Sequence, residues 1–164
     1  MNNAAVDQME DHPPPKREIC GFESRQWHHE DIMKFFDEEQ VRHGHDYDGV
    51  IFVFGSNLAG RHGKGAALYA QDAYGAKYGV GRGRTGQAYA IPTKDENIGT
   101  LALLIIEREV QEFLEYARYY NDEVFFVTRI GCGLAGYTGE QIAPMFRGAP
   151  ENCIFDIKWK PFLT

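Results

Sequence analysis

Val50-Ile51-Phe52-Val53-Phe54 runs directly into Gly55-Ser56-Asn57-Leu58-Ala59-Gly60-Arg61-His62-Gly63-Lys64-Gly65-Ala66-Ala67. The first five residues are β-branched or aromatic, too few for a helix and apolar on both faces. That pattern predicts a central strand covered on both sides. A polar, glycine-rich loop follows, and Gly65-Ala66-Ala67-Leu68-Tyr69-Ala70 reads as the start of a helix. Strand, glycine loop and helix N-terminus together make an anion site. Glycine lets the backbone approach a ligand, and the unpaired N–H groups of a first helical turn point outward. A phosphate-bearing ligand is the first expectation.

The chain outside this stretch narrows the class of protein. Its 164 residues, 43% hydrophobic and 13% aromatic, suit one domain with a real core. No apolar run approaches the length of a membrane span. The polar, acidic segment Met1 to Arg17 reads as neither a secretory signal nor an amphipathic transit peptide. Cys20, Cys132 and Cys153 are odd in number and far apart, so they form neither a metal pattern nor a disulfide framework, and a reducing cytoplasm is expected. A net charge of −7 argues against tight, nonspecific binding to duplex nucleic acid, which needs clustered Lys and Arg. A local pocket of backbone donors is compatible with that charge.

Along the chain, residues 1–18, with Pro13-Pro14-Pro15, read as a flexible tail ahead of a single domain over 19–164. Trp27 to Val41 carries Ile32, Phe35 and Phe36 among acids and predicts an amphipathic helix. His43 to Gly49 reads as a turn-rich connector. A helix is expected from Gly65 to Ala76, then an irregular glycine-rich segment from Tyr78 to Gly86. Gln87 to Thr93 reads as a strand stopping at Pro92. The longest helix is predicted over Leu101 to Tyr120, with Ile106, Val110, Phe113, Leu114 and Ala117 on one face. Val124 to Ile130 reads as a second buried strand, followed by Gly131-Cys132-Gly133-Leu134-Ala135-Gly136-Tyr137. A short helix near Gly139 to Phe146 and a strand over Asn152 to Ile157 complete the reading. Alternating strands and helices predict an α/β layer structure with a mixed, largely parallel central sheet. Both main glycine loops then fall at the carboxyl ends of strands, where open α/β sheets hold ligands.

Familiar phosphate motifs fit poorly. No Gly-x-x-x-x-Gly-Lys-Ser/Thr occurs, because Gly55 and Gly60 are followed by Arg61-His62. Gly81, Gly83 and Gly86 match Gly-x-Gly-x-x-Gly but follow no strand. Gly131, Gly133 and Gly136 match it after a strand, with Asp156 20 residues beyond, which resembles a Rossmann fingerprint. That fingerprint opens its domain, however, and here it falls near the end. His28, His29, His43 and His45 with Asp46 and Asp48 lack metal-site spacing on any helix face, so no metal and no cofactor is expected. Cys132, near a predicted helix start, is either a low-pKa thiol or a small buried side chain. Arg82 and Arg84 either contact the carrier of a substrate or belong to a solvated loop.

Taken together, three segments resemble the macrodomains, an α/β/α fold that binds ADP-ribose. The likeness is strongest to the branch of terminal ADP-ribose glycohydrolases and of antitoxin macrodomains that remove ADP-ribose from DNA. It rests on Asn57 with Gly63-Lys64-Gly65-Ala66-Ala67, on Tyr89-Ala90-Ile91-Pro92-Thr93-Lys94, and on Arg129-Ile130-Gly131-Cys132-Gly133-Leu134-Ala135-Gly136, all within residues 50–146. The resemblance implies a three-layer α/β/α fold, and it implies roles. Asn57, beside Ser56, would bond ribose hydroxyls. Gly63, Lys64, Gly65 and Ala66 would pack on the diphosphate and distal ribose. Gly131, Cys132, Gly133, Leu134, Ala135 and Gly136 would donate N–H groups to phosphates, with Tyr137 flanking. Lys94 would stand near C1 of the distal ribose, as nucleophile or as charge stabiliser. Some relatives carry an acid where this chain has Ala135. The expected function is therefore hydrolysis of an ADP-ribose glycosidic linkage on a modified protein or nucleic acid. The alternative is a non-catalytic module that sequesters ADP-ribose, NAD or a related nucleotide, and a third reading is an interaction domain with a degenerate pocket.

Overall fold

Val50-Ile51-Phe52-Val53-Phe54 is indeed the centre of the molecule, as the computed structural model shows for the residues it describes, 34–42 and 49–164. All five side chains are at most 1% exposed. Alternation sends Ile51 and Val53 into one core, and Val50, Phe52 and Phe54 into another on the opposite face. This strand, β2 (Val50–Asn57), lies inside a six-stranded sheet. The other strands are β1 (Lys34–Phe36), β3 (Gly83–Thr85), β4 (Ala88–Lys94), β5 (Val124–Val127) and β6 (Cys153–Asp156). Their order is β1-β6-β5-β2-β4-β3, parallel throughout except for the antiparallel β3–β4 edge. The expected α/β layers with a mixed, largely parallel sheet are what the chain forms.

Helices cover both faces. They are α1 (Glu38–Arg42), α2 (Gly65–Tyr74), α3 (Leu103–Tyr119), α4 (Gly139–Ile142) and α5 (Lys160–Leu163). On α3, Ile106, Val110, Phe113, Leu114 and Ala117 are fully buried against one face, while Glu107, Arg108, Glu112 and Glu115 are exposed. Each large apolar side chain so buried contributes about 1.5–3 kcal/mol over exposure. Helix α2 sits on the other face through Ala67 and Ala70, and ends where Gly75 turns left-handed at φ 72°. None of the described helices is long and apolar enough to cross a membrane.

The structure differs from the sequence reading in five places. Lys34–Phe36 is a strand rather than part of a helix from Trp27. Phe35 packs towards one core and Phe36 towards the other, a period of two that pairing with β6 rewards. Gly83–Thr85, read as irregular, pairs with β4. Strand β4 continues through Pro92 to Lys94. Its partner β3 reaches only Ala90, so no ladder bond is needed on that side of the proline. Strand β5 ends at Val127, and the last turns of the predicted 139–146 helix tighten into a 3₁₀ segment at Ala143–Phe146. The tail at 1–18, the rest of the helix from Trp27, the connector at 43–48, Cys20 and the histidines weighed for metal lie outside the described residues.

Candidate functional site

Strands β2, β4 and β5 run parallel, so their carboxyl ends share one edge of the sheet, and a cavity of about 690 Å³ opens there. Its walls come from all three following loops and from the start of α2. Ser56, Asn57, Gly63, Lys64, Gly65, Ala66, Lys94, Gly131, Cys132, Gly133, Leu134 and Ala135 all line it. Gly136 and Tyr137 do not. The Tyr137 hydroxyl instead donates to the Leu101 carbonyl at 2.7 Å, tying the β5 loop to the start of α3.

A bulge sets the key pair. The β2–β4 register slips at Ser56/Asn57, so Ser56 pairs with Pro92 while Asn57 pairs with Lys94. Asn57 and Lys94 thus end adjacent strands side by side. Lys94 is half-buried and makes no ion pair among the described residues. Asn57 is 8% exposed and its amide is engaged with its own loop. Its Nδ2 donates to the Arg61 carbonyl at 2.9 Å, and its Oδ1 accepts from the Arg61 N–H at 3.0 Å. One N–H and one lone pair remain for a ligand. Asn57→Ala is therefore expected to cost about 1–3 kcal/mol of stability by orphaning two backbone groups, as well as weakening ligand binding. Urea denaturation of the unliganded variant checks this. A purely ligand-facing Asn would leave the transition unmoved.

The two glycine loops offer donors differently. Helix α2 has Lys64 at its N-cap, with no side-chain cap bond and no acid in its first turn. Its open N–H groups at Gly65, Ala66 and Ala67 border the cavity, an arrangement that favours an anion. Helix α4, by contrast, is closed by a Thr138–Gln141 capping box. The β5 loop supplies its own donors. Gly131 adopts φ 73°, and the N–H groups of Gly133, Leu134 and Ala135 have no acceptor among the described residues. Arg61, Lys64, Lys94 and Arg129 also line the cavity against one acid, Glu38, so this wall is basic within an acidic protein.

Sequence reasoning missed four contributors. Glu38, 8% exposed in the first turn of α1, lines the cavity. No motif marks it. From the end of β1 to the end of β4 is four strand spacings, about 19 Å. The carboxylate and the Lys94 ammonium thus mark opposite ends. His62, 1% exposed inside the glycine loop, sets its ring edge-on to Phe54 at 5.2 Å, with Nε2 3.1 Å from the Lys77 carbonyl oxygen. It pins the loop after β2 onto the segment before β3. Thr93 and Thr128 complete the floor: Thr93 donates to the Ser56 carbonyl, and Thr128 donates to the Val53 carbonyl at 2.7 Å.

Other candidates are placed elsewhere. Asp156 is 2% exposed and not in the cavity; it accepts from the Glu38 and Lys158 N–H groups and pairs with Arg129 at 3.7 Å, so it is no ribose acid. Arg82 and Arg84 are engaged by α3 and its C-terminal turn: Arg82 pairs with Glu109, and Arg84 with Glu123 and the Tyr116 hydroxyl. Cys132 precedes α4 by a whole loop, and burial pushes its thiol up more than the Trp159 indole and Arg129 pull it down. Cys153 is pushed up to about 12 by burial. Burial therefore favours the protonated form of both thiols. Among the described residues no cluster of His, Cys, Asp and Glu could hold a metal.

This topology, with a cavity across the strand ends, is the macrodomain fold. The chain aligns with the macrodomain of Mycobacterium tuberculosis DarG at TM-score 0.54 and 18% identity, over 76% of this chain and 97% of that one. The macrodomain of Thermus aquaticus DarG gives 0.54 and 14%, over 76% and 97%. The alphavirus P23pro-zbd structure gives 0.57 and 15%, over 80% of this chain and 23% of its own. No family model and no curated protein matches the chain in sequence.

Proposed function

We propose that the cavity binds ADP-ribose and that the protein cleaves the bond joining its distal ribose to a carrier. The observation that carries the reading is the order of groups along the sheet edge. A buried carboxylate, Glu38, stands at one end, two sets of N–H groups with no acceptor among the described residues lie in the middle, and an ammonium with no ion-pair partner among them, Lys94, stands at the other. A ligand with an amino-bearing base, a diphosphate and a terminal sugar presents the complementary order. Glu38 accepts from the base amine, while the α2 N-terminus and the Gly133–Ala135 backbone take the phosphates. The distal ribose then lies between Asn57 and Lys94.

Cleavage at C1 develops positive charge on the sugar and negative charge on the departing carrier. The carrier leaves with the electron pair, water adds its oxygen at C1, and the proton that water loses ends on the carrier. The Lys94 ammonium stabilises the leaving anion. The resemblance to macrodomains that remove ADP-ribose from DNA or protein supports this chemistry. Ala135, in place of an acid, favours the second reading, a module that holds ADP-ribose or a related nucleotide without turning it over.

Calorimetric titration of ADP-ribose into the intact chain tests the binding step. A dissociation constant in the micromolar range, about −8 kcal/mol, is expected. Absence of heat, with an unchanged melting curve in millimolar nucleotide, would refute the reading.

A further inference from the structure

Ile98 has φ 66°, the only positive value among the described non-glycine residues. A β-branched side chain disfavours that conformation strongly, and glycine would adopt it freely. The turn is enforced from outside Ile98. Asp95 Oδ1 accepts from the N–H groups of Asn97 and Gly99, both at 2.8 Å, and the Asp95 N–H donates to the Gly99 carbonyl. Core packing does not repay the strain, because Ile98 is 41% exposed. Its side chain instead lines the cavity, as does Leu134, which is 70% exposed on the loop after β5. The two loops are joined, since the Thr100 hydroxyl donates to the Ala135 carbonyl at 3.2 Å. Lys94 bridges to Thr100 across the turn, so Ile98 stands at the Lys94 end.

We infer that Ile98 is a specificity-determining residue. With Leu134 it forms an apolar lip over the Lys94 end of the cavity, and it selects ligands carrying a sugar beyond the diphosphate. Apolar side chains here cover the carbon face of that sugar and displace water from beside the ammonium. The strain at Ile98 is offset when the cavity is filled, which accounts for a bulky residue where the backbone suits glycine. Asp95 acts as the positioning residue for the turn. This inference rests on the ADP-ribose reading above.

The test compares ADP-ribose with ADP, which lacks the distal sugar, by calorimetry on wild type, Ile98→Gly and Ile98→Val. Ile98→Gly is expected to melt no lower than wild type, because the turn is released from strain. Its affinity for ADP-ribose is expected to fall about tenfold while that for ADP stays within about twofold, and Ile98→Val restores most of the difference. Equal losses for both ligands, or no loss for either, would overturn the lip. Failure of wild type to bind either ligand would overturn the ADP-ribose reading itself and the lip with it, a result separable from the first because it appears before any substitution.

Discussion

Lys94→Ala is expected to reduce turnover of an ADP-ribosylated substrate by about 10²–10³-fold while changing ADP-ribose affinity only a few-fold, the size of effect seen when one preorganised charge is removed from a developing anion. The local structure makes this a clean experiment. Lys94 ends β4, and the bond that matters to the fold there is from the Leu58 N–H to its backbone carbonyl, which alanine keeps. The side chain has no ion-pair partner among the described residues, so its removal strands no buried carboxylate. The variant should therefore melt with the wild type. Lys94→Arg keeps a charge but replaces a compact ammonium by a planar fork, and partial activity is expected from it. Single-turnover rates beside calorimetric affinities separate chemistry from binding. Equal rates in wild type and Lys94→Ala would remove Lys94 from the chemistry. Tight ADP-ribose binding with no turnover on any carrier would select the sequestering module, in keeping with Ala135.

The site divides between what local sequence encodes and what distant pairing decides. The β2 run was legible because both faces are apolar, and only a doubly covered strand satisfies that. The α3 face was legible from its helical spacing. Glycine marked the two loops because positive φ and open N–H groups demand it. The strand Lys34–Phe36 was not legible, because two phenylalanines among acids suit a helix equally well and the pairing partner β6 lies at the far end of the chain. Arg82 and Arg84 looked available for a substrate, yet Glu109 on α3 and Glu123 just beyond it engage them, and spacing along the chain carries no trace of that. Asn57 was legible as part of the loop that lines the cavity, but its bonds to Arg61 were not, since they depend on the shape of the loop. Glu38 and Ile98 carried no motif. They enter the cavity only because the strand order brings their connections to one edge.

That dependence on distant packing is sharp beneath Asn57, where Gly81→Ala is expected to be strongly damaging to the described fold. A Cβ on Gly81 would stand 2.0 Å from the Asn57 carbonyl oxygen and 2.9 Å from that of Leu58. Both are backbone atoms, so no rotamer change relieves the clash. The Ser56 hydroxyl also donates to the Gly81 carbonyl, and retreat of this segment would break that buried bond. A loss of about 3–5 kcal/mol is expected, beyond ordinary overpacking because a bulged strand end must move. The melting temperature should fall by roughly 10 °C, and ADP-ribose affinity should fall with it, since Asn57 and the bulge share that strand end. Gly83→Ala is the control. Its φ of 83° is left-handed but nothing lies within 4 Å of the added atom, so it pays only the dihedral cost of about 1–2 kcal/mol. A larger effect at Gly81 than at Gly83 would show that contact with the end of β2, rather than backbone conformation, is what glycine permits there. The reverse order would mean that the segment before β3 yields easily and that the floor under Asn57 is set by the Arg61 loop alone.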